Sequence, residues 1–199
     1  MGHALHSYFS NKSQTYINSD YSIFCAEVAS TTNEILLLEH TLKTASPEQK
    51  IYLLNQFLEA VRTTVYRQVQ FEINEGRTLQ AEMLETYWLD SNKRYYGPAL
   101  TVDAELSSEW SRIPHFYTPF YVYKYATGYS AATAFASAIL ENKPKAVEKY
   151  LHFLASGGSD YSLNLLKTTG VDLTTPLPVT VTLHKFAEKL QELKTLLGK

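Results

Sequence analysis

Apolar and polar residues recur along most of the chain with the three-to-four spacing of helices. After Ser46, apolar residues fall at Ile51, Leu54, Phe57, Leu58, Val61, Val65 and Val69, which places them on one buried helical face. The start of that helix is written in Ser46-Pro47-Glu48-Gln49: Ser46 can cap, Pro47 suits the first turn and Gln49 can complete a capping box. A second long helix is predicted from Tyr21 to Lys43, and a third from about Leu79 to Tyr95, stopping before Gly97-Pro98. Pro114 and Pro119 bracket a short loop that contains His115, and an aromatic helix then runs toward Leu140. Pro144 opens another helix that ends at Gly157-Gly158. Ser159 or Asp160 can cap a short helix that Gly170 terminates, and Pro176 and Pro178 precede a last helix from about Thr182 to Leu197. The stretch from Val179 to Thr182 is β-prone but short. The pattern predicts an all-α fold, with residues 1–199 forming a single unit.

Composition removes several function classes. The net charge is −2, from 18 basic and 20 acidic residues, so nothing points to nucleic acid or an anionic membrane surface. The apolar run Ile35-Leu36-Leu37-Leu38 is far too short to span a membrane. The opening residues have no basic stretch leading into an apolar one, so no signal peptide is expected. The single cysteine, Cys25, cannot form an internal disulfide and suits a reducing compartment, so a cytoplasmic location is expected. The chain carries 15 tyrosines, which can build either a core or a peptide-binding cleft, core being the commoner use.

Two places carry candidate chemistry. His3-x-x-His6 alone is a weak signal, since paired histidines near a terminus are more often surface residues than ligands. Glu27 is more informative, because it lies among Cys25, Ala26, Val28 and Ala29 in an apolar, small-residue helix. A carboxylate there must be paired, hydrogen-bonded or metal-bound. The alternative to a metal is a neighbouring Arg or Tyr. Thr31 and Glu34 lie one and two turns further along the same face. Cys25 reads as a small buried apolar residue, and His40, His152 and His184 carry no motif.

The opening Gly2-His3-Ala4-Leu5-His6-Ser-Tyr-Phe and the helix from Tyr21 to Glu34 together resemble the thimet oligopeptidase and oligoendopeptidase F family of zinc metallopeptidases. That family carries His-Glu-x-Gly-His on one helix and a third ligand, Glu, on a following helix. Met1 matches the x, Gly2 the Gly, His3 the second histidine and Glu27 the third ligand. The segment from Ile113 to Gly128 resembles the part that brings a histidine and tyrosines to the cleft. Ser156-Gly-Gly-Ser-Asp-Tyr and the stretch from Leu165 to Asp172 resemble the family's C-terminal region.

The resemblance implies a zinc endopeptidase for short peptides, with His3 and Glu27 as metal ligands. His115 and Tyr123 would donate hydrogen bonds to the oxyanion, with Tyr121 and Tyr117 as alternatives to Tyr123. Glu34 would position a ligand histidine, and His6 would support the site or simply pack. Two histidines four apart on a helix can share one zinc, and the Glu after the first takes the proton of the attacking water. The matching His and Glu would fall before Met1, so the expectation is two of three ligands and no general base in these 199 residues. The N-terminal part of the enzyme would be the partner that completes the site, in a split enzyme or a longer chain. The rival expectation is a non-catalytic remnant that binds peptides or a partner.

Overall fold

The structure, a computed structural model, describes residues 1–63, 80–118 and 121–199. Val65, Val69 and Pro119 lie outside them. In order come α1 (Gly2–Ser13), a 3-10 turn (Tyr16–Asn18), α2 (Ile23–Leu42), α3 (Pro47–Val61), α4 (Ala81–Tyr96), 3-10 segments at Ala104–Arg112 and Pro114–Tyr117, α5 (Tyr123–Leu140), α6 (Ala146–Ala155), α7 (Ser162–Thr168) and α8 (Leu177–Leu196). There is no strand among the described residues, so the fold is all-α as the pattern predicts. The chain divides into two compact units, Met1–Leu58 with Thr127–Lys199, and Glu59–Ala126.

The larger unit is built on α2. Ser22 caps it, its side chain accepting from the Cys25 amide at 3.3 Å. Cys25, Val28 and Ala29 then enter one core with Ala131 and Phe135 of α5, Tyr150, Phe153 and Leu154 of α6, and Leu165 and Leu166 of α7. Small residues on α5, among them Gly128, Ser130, Ala131 and Ala132, are buried. Asn33 Nδ2 donates to the Tyr150 hydroxyl at 2.8 Å, and that hydroxyl donates to the Ala29 carbonyl at 3.1 Å. The predicted capping box of α3 forms in both directions: the Ser46 amide donates to Gln49 Oε1 at 2.9 Å, and the Gln49 amide to Ser46 Oγ at 3.3 Å.

Two sequence expectations change. The last helix begins at Leu177, so the β-prone stretch from Val179 to Thr182 is helical. Pro178, in the first turn, presets the helical backbone. Thr180 and Thr182 bond back to the carbonyls of Pro176 and Pro178 at 3.1 and 3.0 Å, which satisfies their hydroxyls inside the helix. The short helix α7 starts from Tyr161. Asp160 Oδ1 accepts from the Tyr161 amide at 2.6 Å and from Asn164 Nδ2 at 3.0 Å, one position before the cap. Gly170, at φ +104°, ends α7 as predicted.

The smaller unit centres on Trp88, which is fully buried. Phe116 meets its ring edge-on at 5.6 Å, and its indole N–H donates to Glu109 Oε2 at 3.3 Å. Gly97, at φ +73°, stops α4 where the sequence places the break. The stretch between Pro114 and Pro119, which the sequence marks as a short loop, holds a 3-10 turn at Pro114–Tyr117.

Candidate active site

In the larger unit, α1 carries His3 and α2 carries Glu27. Glycine brings the two helices together. A Cβ added at Gly2 would lie 2.5 Å from the Ser30 Cα and 2.6 Å from the Ala29 carbonyl oxygen. Hence the backbone beside His3 touches α2 one turn past Glu27. On the other side, a Cβ at Gly128 of α5 would sit 3.7 Å from the Glu27 Cβ, which is ordinary contact.

His3 is exposed and Glu27 half-buried. Neither side chain has a hydrogen bond or ion pair among the described residues. Among the described residues, then, Glu27 has no Arg or Tyr partner. Among the described residues no three His, Cys, Asp or Glu side chains gather to hold a metal. Two unengaged donors of zinc-ligand type, on helices in contact, fit part of such a ligand set.

The surroundings are organised around α1. His6 is fully buried, and neither ring nitrogen has a hydrogen-bond partner among the described residues. Its ring stacks on Tyr21 at 3.6 Å and 11°. Burial, and secondarily the charge of His3, push its pKa down to about 4, so it is neutral at pH 7. Glu34 accepts from Ser30 Oγ at 3.3 Å. Burial, then the Glu34 charge, push the Tyr129 phenol up from its ordinary pKa. His40, His152 and His184 are exposed, and Cys25 is buried in the core.

In the smaller unit, His115 is half-buried in the 3-10 turn Pro114–Tyr117. Its ring lies 4.7 Å from that of Tyr121, and its Nε2 is 3.2 Å from the Tyr125 hydroxyl. Tyr123 opens α5 and is half-buried. Tyr117 donates to the Ser111 carbonyl at 2.8 Å, which ties its hydroxyl to the backbone. Tyr125 was not singled out in the sequence. The usable signal was its spacing, four residues after Tyr121.

Residues 1–184 match Peptidase family M3. The chain belongs to that family. It is 47% identical over 208 residues to oligopeptidase PepF of Bacillus subtilis, with 100% of this chain and 31% of the relative covered. It is 39% identical over 208 residues to group B oligopeptidase PepB of Streptococcus agalactiae, covering 100% of this chain and 35% of that protein. The crystal structure of oligoendopeptidase-F from Enterococcus faecium superposes with a TM-score of 0.82 at 41% identity, over 99% of this chain and 37% of that one. A putative peptidase from Chlamydophila abortus gives a TM-score of 0.85 at 42% identity, over 98% and 34%. The M3 chain thus spans about a third of the length of these relatives. No helix among its described residues is long and apolar enough to cross a membrane.

Proposed function

We propose that this M3 segment is the part of a zinc endopeptidase for short peptides that supplies two metal ligands, His3 and Glu27, and the oxyanion donors. The observation that carries this reading is the state of His3 and Glu27: two donors whose side chains have no partner among the described residues, on helices that glycine holds in backbone contact. An exposed His and a half-buried Glu of this kind are suited to a metal, which would satisfy both. Zinc, when bound, would supply Lewis-acid activation of the peptide carbonyl and of the attacking water.

His115 would donate toward the carbonyl oxygen as it gains charge, with Tyr125 bonded to it and Tyr121 against its ring. Tyr123 remains a donor candidate from the same helix. Such a donor contributes ~3 kcal/mol to transition-state stabilisation. The remaining ligand and the general base would be the His and Glu that stand before x-Gly-His in the family's motif. We expect this polypeptide alone to bind zinc weakly and to cleave nothing measurable.

The test places the 199 residues in the Bacillus subtilis relative, in exchange for its aligned stretch. The graft is expected to cleave a quenched oligopeptide, to lose activity to a chelator, and to lose it again with His3→Ala or Glu27→Ala. A folded graft that cleaves equally well with both substitutions would remove the proposal, as would chelator-sensitive cleavage by the 199-residue chain alone.

A further inference from the structure

Tyr21 lies in the connector before α2, six residues ahead of Glu27, and reaches across to α1. Its hydroxyl is 2.6 Å from Ser7 Oγ and 3.4 Å from the His3 backbone carbonyl. A phenol has one hydrogen. Toward the His3 carbonyl the phenol can only be the donor, whereas between the phenol and Ser7 Oγ either oxygen can donate. The phenol thus contacts the first two turns of α1 at two points.

Its ring plane is fixed as well, by the stack on His6. His6 makes no hydrogen bond among the described residues, so the polar character of its ring does not account for its place in the core. It serves as a flat plate against Tyr21, backed by the Phe153 ring at 5.5 Å. Tyr21 therefore joins the backbone of His3, one proposed ligand, to the strand of chain that leads into Glu27, the other.

We propose that Tyr21 is a positioning residue: its hydroxyl, bonded to the His3 carbonyl and to Ser7, holds the turn of α1 that carries His3 in register with the start of α2. The inference rests on the reading of His3 and Glu27 as metal ligands. Outer partners of this kind typically change metal affinity by about 10–100-fold when removed.

Zinc is added stepwise to the full 199-residue chain while the imidazole resonances of His3 are followed by NMR. Three variants are compared with the parent: Tyr21→Phe, which keeps the stack on His6; Ser7→Ala, which cuts the same network from its other end; and Tyr150→Phe. The last removes a different tyrosine hydroxyl that bonds a carbonyl of α2, at Ala29. The expected result is a zinc dissociation constant about tenfold weaker for Tyr21→Phe, a change in the same direction for Ser7→Ala, and the parent value for Tyr150→Phe. A Tyr21→Phe chain that binds zinc within twofold of the parent overturns the inference and leaves the ligand reading standing. Equal weakening by Tyr150→Phe also overturns it, because general loosening of α2 would then suffice. A grafted enzyme that holds zinc equally well with His3→Ala overturns the ligand reading itself, and this inference with it.

Discussion

Gly2→Ala puts a methyl group where α1 and α2 touch. The new carbon would lie 2.5 Å from the Ser30 Cα, 2.6 Å from the Ala29 oxygen and 2.9 Å from the Ser30 nitrogen. Ordinary carbon contacts need about 3.5–4.0 Å, so the two helices must separate by ~1 Å. All three obstacles are backbone atoms in the middle of a helix, and no side-chain rotation relieves them. Overpacking of this sort costs about 1–3 kcal/mol. Against it stands the better helix propensity of alanine, worth at most about 1 kcal/mol. The net loss should lower Tm by several degrees, since 1 kcal/mol corresponds to about 2–4 °C in a chain of this size. Gly128→Ala is the matched control. Its Cβ would find its nearest neighbour at 3.7 Å, so alanine there meets only ordinary contacts in mid-helix. Scanning calorimetry on both variants should show Gly2→Ala melting well below the parent and Gly128→Ala at or above it. The same ~1 Å displacement should weaken zinc binding by about tenfold or more, because it moves His3 away from α2. If Gly2→Ala melts with Gly128→Ala, the close packing of α1 on α2 is not what holds His3 in place.

Other consequences are quickly stated. Tyr150→Phe should cost about 1 kcal/mol in urea unfolding, because Asn33 loses one acceptor and the Ala29 carbonyl one donor. Burial raises the Tyr150 phenol to about 12, above its unfolded value near 10. The native chain holds that proton more tightly, so the contribution is complete below pH 10 and disappears as pH rises toward 12; the Phe variant should show a flatter alkaline limb. Lys189→Ala removes the cation that pairs with Glu39 at 3.0 Å and with Glu192 at 3.3 Å, leaving Lys185 at 3.8 Å from Glu39. Unfolding by urea should show a loss of about 1–2 kcal/mol, eased by high salt only in part because Lys189 is buried. In the grafted enzyme, His115→Ala should lower kcat by about 10²–10³ with a smaller change in KM, as expected for a group that acts on the oxyanion. A rise in KM alone would place His115 in substrate binding instead.

Helix periodicity and punctuation were readable because local rules decide them. The Ser46–Gln49 capping box, the stops at Gly97 and Gly170, and the buried face at Leu54, Phe57, Leu58 and Val61 follow from residue type and spacing. The start of α8 was misread because β-branched residues have strand propensity in isolation, whereas Pro178 and the back-bonded threonines settle the matter only in helical geometry. Family membership was legible in the motif residues themselves. What they touch was not. Nothing in the sequence says that Gly2 is glycine because a helix backbone passes 2.5 Å from where a side chain would start. The pairing of His115 with Tyr125 depends on how the chain turns between Pro114 and α5, and several tyrosines compete for that place. The stack of His6 on Tyr21 joins residues 15 apart through the turn at Tyr16–Asn18, which no periodicity encodes.

We propose His3 and Glu27 as two of three ligands to one zinc. The direct measurement is the anomalous scattering of crystals of the grafted enzyme, recorded at the zinc edge. A single strong peak is expected about 2.0–2.2 Å from an imidazole nitrogen of His3 and from a carboxylate oxygen of Glu27. Zinc bound to other residues, or no peak at saturating zinc, would contradict it.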